Sequence, residues 1–255
     1  MCRKVLCLAV AVVVIATVCV FSYLASAAPQ GKGNDRVLSK IKFIHYKAPR
    51  GKPPGTPGSK PDKEDEGYYT YLAKGAKWKA PEVFLLNLWY DNTDEVTPDL
   101  VAGAVEAGMS AWENADDPPL AIFNDLMTKD TPSYLDLDVL QGENTISFRP
   151  FGSPNVIAQA IVWGYFGGPP SQREIIEAHI EFNDDFLWGV VEGPKDPFMD
   201  VQNIVTHELG HCAGMGDLYL TAAIEETMYG YSDEGETYKC DLDKGDIAGI
   251  TNLYQ

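Results

Sequence analysis

The chain has 255 residues and a formal net charge of −17, with 37 acidic against 20 basic side chains. That balance argues against nucleic-acid binding, which needs a basic surface, and the length suffices for one domain with a proper core plus extra segments. Acidity of this size suits solubility or a salty habitat; calcium binding or a preference for basic substrates are the sharper readings.

Residues 1–28 read as an export signal or N-terminal anchor. Arg3 and Lys4 precede an apolar run from Val5 to Leu24, and Ala25-Ser26-Ala27-Ala28 offers a small-residue cleavage site. The run is long enough to span a bilayer, so an uncleaved membrane anchor is the rival to a signal peptide. Either way the rest of the chain is expected outside the cytoplasm, secreted or on the extracellular face of the membrane. Of five cysteines, Cys2, Cys7 and Cys19 lie in this segment. Cys212 and Cys240 remain, either as one disulfide or as two separate buried thiols. Residues 29–67 are rich in Gly, Pro and Lys, and Ala48 to Gly58 can be neither an ordinary helix nor a central strand. The segment reads as a linker or short propeptide.

The folded domain is expected over 68–255. Val83 to Tyr90 is an apolar run of strand length, closed by a turn at Asp91-Asn92-Thr93-Asp94. Thr97-Pro98 reads as an N-cap followed by proline at the first helical position. Val101, Val105, Met109 and Trp112 then recur at helical spacing, which predicts an amphipathic helix over 98–114 with Trp112 as a core anchor. Residues 115–143 are expected to be loops with little regular structure. Strands are predicted over 144–148, 156–166 and 173–182, the last two joined as a hairpin through Gly167-Gly168-Pro169-Pro170. In the third, Ile176, Ala178, Ile180 and Phe182 share one face, and Glu177, His179 and Glu181 the other, which is expected to meet solvent. A helix then starts at Asp196-Pro197 or at Asp200 and buries Val201, Ile204 and Val205. Asp243 and Asp246 mark the start of a last helix striped by Ile247, Ile250 and Leu253/Tyr254.

The stretch that organises the chain is His207-Glu208-Leu209-Gly210-His211-Cys212-Ala213-Gly214-Met215-Gly216-Asp217. On a helix, residues four apart share a face, so His207 and His211 can offer two imidazoles to one metal ion. Glu208 can reach a metal-bound water rather than the metal. Gly214 can end the helix in a left-handed turn, which swings Asp217 back as a third ligand. A zinc ion held by three such ligands keeps a fourth position for water and lowers that water's pKa, leaving Glu208 as general base and then acid. Glu225 and Glu226 are the alternative third ligands, and they come too early for a separate helix.

The extended H-E-x-x-H-x-x-G-x-x-D pattern resembles that of the metzincin clan of zinc metalloproteases, with Asp217 where many members carry a third histidine. Glu226-Thr227-Met228-Tyr229-Gly230-Tyr231 resembles the Met-turn of that clan, and Leu242 to Tyr254 resembles the C-terminal helix of matrixin-like proteases. The resemblance implies an α+β fold of zincin type: a twisted mixed sheet, an active-site helix, the Met-turn and the C-terminal helix. It implies a secreted zinc endopeptidase, with Met228 packed under the metal, Tyr219 and Tyr231 as candidate pocket residues, and an extended substrate paired to a sheet edge, for which 173–182 is the expected strand. Many matrixins stay latent through a propeptide cysteine on the zinc; no cysteine lies between residues 20 and 211 here, so latency would need another device. Calcium through Asp184 and Asp185, or through Asp91, Asp94 and Glu95, is a further expectation. His179 has too few partners for a second zinc. The chain is expected to act as a monomer on proteins or peptides. The rival is a non-proteolytic extracellular metal-binding or adhesion module on the same fold, which would have no need of Glu208.

Overall fold

The computed structural model describes residues 36–48, 67–87, 96–129 and 135–255. The signal or anchor reading of 1–28 lies outside them, as do Asp91, Asp94 and Glu95. Among the described residues no helix is long and apolar enough to cross a membrane.

In chain order the elements are β1 (Leu38–Lys47), β2 (Glu82–Asn87), α1 (Pro98–Glu113), β3 (Phe123–Lys129), β4 (Asn144–Arg149), β5 (Val156–Tyr165), β6 (Glu174–Asn183), β7 (Trp188–Gly189), β8 (Met199–Asp200), α2 (Val201–Ala213), β9 (Tyr231–Ser232) and α3 (Lys244–Tyr254). Seven strands form one mixed sheet in the order β3-β2-β4-β6-β5-β1-β9. Strands β3, β2, β4 and β6 run parallel; β5 is antiparallel to both β6 and β1; and β9 is parallel to β1. This is the α+β architecture with a mixed sheet and a C-terminal helix that the sequence implies.

Thr97 begins α1 as foreseen: its hydroxyl accepts the Leu100 N–H at 3.3 Å, and Pro98 occupies the first turn. The buried stripe Val101, Val105, Met109, Trp112 packs on α2 and the sheet. Trp112 is fully buried, and its Nε1–H donates to Thr206 O at 2.7 Å, which ties α1 to α2.

Five expectations are corrected. The segment read as a linker contributes β1, ten residues inside the sheet. Residues 115–143 contain an edge strand, β3, whose side chains are mostly exposed and so carry no apolar alternation. A bulge in the β5–β6 ladder at Trp163/Gly164 turns Ile176 outward and brings Ile175 into the core. Glu177, His179 and Glu181 do not meet solvent: the segment after Leu135 crosses that face, and Glu177 accepts the N–H groups of Gln141 and Gly142 at 2.7 and 2.6 Å. His179 is buried between Thr145 Oγ1 and Glu177 Oε1, at 2.8 Å from each. Finally, β6 cannot be a substrate edge, because β4 and β5 pair with its two sides.

Candidate metal centre

Asp200 sets the start of α2. Its Oδ1 accepts the Asn203 N–H at 2.8 Å and its Oδ2 that of Val191 at 2.9 Å. From that start, His207 and His211 fall one turn apart and both are buried. Gly214 then takes φ +113, and a β-carbon there would stand 2.6 Å from Ala76 O. Only glycine meets both conditions cheaply. The turn reverses the chain and brings Asp217 Oδ1 to 3.3 Å from His207 Nε2 and 3.3 Å from His211 Nε2.

This arrangement fits a metal ion. Two ligands ~2.0–2.1 Å from one ion at a tetrahedral angle stand about 3.3–3.4 Å apart. The other ring nitrogens are engaged: His207 Nδ1–H donates to Thr227 O at 2.7 Å and His211 Nδ1–H to Met215 O at 3.1 Å. Those bonds leave the Nε2 lone pairs facing Asp217. Among the described residues His207 Nε2 and Asp217 Oδ1 are buried without a hydrogen bond, an arrangement that is costly unless a cation completes it. Burial opposes a charged Asp217, yet His211 and His207 beside it outweigh burial and hold the carboxyl well below its ordinary range. Tyr219 does not face a pocket first: its hydroxyl donates to Asp217 Oδ2 at 3.0 Å and so aims the other oxygen at the histidines. The ring of Tyr231 is buried 5.4 Å from that of Tyr219.

Glu208 lies beside the three converging atoms, fully buried. Among the described residues its Oε2 has no hydrogen-bond partner, and burial pushes its carboxyl up to about 8. Glu226, the alternative ligand, is directed elsewhere: it accepts the N–H groups of Tyr68 at 3.0 Å and Gly245 at 2.9 Å.

Met228 packs against α2 at Gly210. It is fully buried, and its turn is clamped by Asp246, which accepts the Thr227 N–H at 2.6 Å, the Met228 N–H at 3.2 Å and the Asp243 N–H at 3.1 Å. Thus α3 reaches the metal centre through Thr227, whose carbonyl orients His207. Met228 Sδ lies against Gly210, where a β-carbon would overlap the sulfur and stand 2.5 Å from Trp112 Cζ2. The sequence reading passed over Gly210, although a glycine inside a helix raises the question of a close approach. Gly210→Ala should therefore destabilise the domain by about 2 kcal/mol despite its better helix propensity; urea unfolding at or above parent stability would refute the packing argument.

Cys212 and Cys240 are separate thiols. Cys240 Sγ–H points to Asp200 at 3.6 Å, at the first turn of α2, whereas Cys212 is in the last turn, about 18 Å along the axis. That separation is beyond a disulfide's reach. Asp185 uses Oδ2 to accept the N–H groups of Phe151 and Gly152, at 3.1 and 2.6 Å. Among the described residues, the groups that could hold a metal are His207/His211/Asp217 and His45/His207/Glu208; neither includes Asp184 or Asp185.

The second group brings in a residue to which the sequence reading gave no role. His45 of β1 is buried, with Nδ1 at 3.1 Å from Glu208 Oε1 and Nε2 at 3.1 Å from Ser232 Oγ. Both nitrogens are thereby engaged away from the three converging atoms. Its ring lies 4.0 Å from that of His207, and Phe43 stacks on His211 at 3.8 Å with 9° between planes. The available signal was the alternation Lys40-Ile41-Lys42-Phe43, a strand pattern hidden by its Gly/Pro/Lys surroundings.

Compared with known proteins, residues 81–255 match the sequence model of the matrixin family. No curated protein matches the chain.

Proposed function

We propose, for a chain that belongs to the matrixin family of zinc-dependent metalloendopeptidases, that it is exported and cleaves peptide bonds with Glu208 as general base and then general acid. His207, His211 and Asp217 would hold the zinc. Bound there, zinc would supply a Lewis acid that polarises the scissile carbonyl and acidifies a water.

The chain's own residues do the rest. Glu208 takes the proton of the attacking water and returns it to the departing amine nitrogen. Its burial favours the neutral acid, and a divalent cation beside it would favour the carboxylate, so the two influences oppose each other. Thr227 O and Met215 O hold the two rings in the tautomer a metal needs. Tyr219 holds Asp217. Met228 and Trp112 are buried against Gly210, on the helix turn that carries the two histidines. The single observation that carries this reading is the convergence of three buried ligand atoms on one point, with a buried carboxylate beside them that the ligand set does not use. An adhesion module would have no call for that fourth group.

Full-length protein should therefore digest casein or gelatin once its cleft is open. A chelator should reduce the rate at least about 100-fold and added zinc restore it. Digestion indifferent to the chelator would refute the zinc mechanism.

A further inference from the structure

We infer that β1 occupies the substrate cleft of this same chain and keeps the peptidase latent until it leaves. The inference rests on the peptidase reading above and deepens it by naming what fills the cleft.

Position is the first ground. An extended peptide binds a sheet by adding to an open edge. Without β1, the free edge beside the metal centre would be β5, which packs directly on α2. From Leu38 to Tyr46, β1 takes that edge, antiparallel to β5 from Tyr165 to Val156. On its other side it pairs with Tyr231 and Ser232 of β9, the segment just past the Met-turn. The strand is thus threaded between the two segments that flank the metal centre.

Contacts at the metal centre are the second ground. Phe43 covers His211, and His45 covers His207. His45 Nε2 also meets Ser232 Oγ at 3.1 Å, a hydroxyl held in turn by Lys239 Nζ, which donates to it at 3.0 Å and to Glu236. His45 holds Glu208 Oε1 and so engages one oxygen of the proposed base. A strand that engages the base in this way obstructs the cleft without being cut.

The third ground is that β1 is attached rather than built in. None of its residues belongs to the buried apolar core; Phe43 only packs against it. The family match begins at residue 81, after β1. Residues 36–47 carry four cations, Arg36, Lys40, Lys42 and Lys47, and no acid, in a chain of net charge −17. They meet an acidic rim: Arg36 with Glu174 at 2.7 Å, Lys40 with Asp138, and Lys47 with Asp233 at 3.5 Å and with Glu234. Exposed pairs of this kind add little each and are screened by salt, so they set the register of a strand that can still depart. The Gly/Pro-rich sequence 49–66 joins β1 to the domain, and a cut there would turn an intramolecular occupant into a dissociable one and remove its high effective concentration.

The test inserts a recognition sequence for a specific protease between residues 49 and 66 of the full chain. Cutting followed by dilution should release the N-terminal fragment, seen by mass spectrometry, and raise the rate on labelled casein at least tenfold. A synthetic peptide of residues 36–48 should suppress that rate again. The same peptide with Phe43→Ala and His45→Ala should need at least tenfold more. Fluorescein-labelled 36–48 peptide should also bind the cut, washed Glu208→Gln protein, which keeps an oxygen for His45, read by anisotropy without any turnover. An unchanged rate after the fragment has left, or unfolding of the domain on its departure, would overturn the inference. Inactivity in both states with the labelled peptide still bound would instead overturn the peptidase reading, and the latency with it.

Discussion

Glu208→Gln in the opened enzyme should lower kcat by about 10³-fold or more, with bound zinc and KM nearly unchanged. General acid–base groups contribute about 10²–10⁴-fold, and Glu208 is asked to serve both half-reactions from one position. A thousandfold loss corresponds to about 4 kcal/mol of transition-state stabilisation. Glutamine preserves the shape of the side chain and an oxygen for His45, so the closed form should remain folded with β1 in place. The substitution removes only the capacity to take a proton at Oε2, the buried atom that has no protein partner. A kcat within tenfold of the parent would mean that another group accepts the proton, and the mechanism would fall even with the metal in place. A loss confined to KM would place Glu208 in binding rather than chemistry.

What the sequence disclosed followed the strength of local periodicity. The helix α1 was legible from Thr97-Pro98 and a 3.6-residue stripe, because its partner surfaces, α2 and the sheet, lie on one side only. The convergence of His207, His211 and Asp217 was legible because its spacing is local: four residues of helix, a glycine turn, then Asp217. Strand β6 was found, but its faces were misread. Both faces are covered, so the polar set Glu177, His179 and Glu181 is as buried as the apolar one, and burial cannot be inferred from polarity where a loop supplies the partners. The bulge that exchanges Ile176 for Ile175 leaves no mark in composition. Strand β1 was lost for a different reason. Its stability comes from a nonlocal ladder to β5, more than a hundred residues later, and its neighbours on both sides have the composition of a linker. His45 was therefore an unassigned histidine until the topology carried it to Glu208. Clamps such as Asp246 on Thr227 and Met228 are likewise nonlocal and could only be read as caps.

Asp217→Ala should weaken zinc binding by at least about 100-fold, the largest effect expected of any single ligand substitution that leaves the fold intact. Loss of a group that merely supports a ligand costs about 10–100-fold, and here a charged ligand itself is removed. Tyr219→Phe provides the graded control: it deletes the bond to Asp217 Oδ2 and keeps the ligand, so the affinity should fall about tenfold. Glu226→Gln provides the opposite control. Its carboxylate accepts backbone N–H groups from Tyr68, Gly245 and Asp246, so the change should lower the melting temperature while zinc affinity holds. The metal-free protein adds a second reading of the same carboxylate. Asp217→Ala takes away one of the three converging atoms, so its gain in stability on adding zinc should shrink relative to the parent. Competition with a chromophoric chelator measures the affinities, and melting with and without zinc measures the linkage. Zinc held as tightly by Asp217→Ala as by the parent, with affinity lost in Glu226→Gln instead, would move the third ligand to the segment before Met228. The glycine turn at Gly214 would then have to serve the Ala76 contact alone.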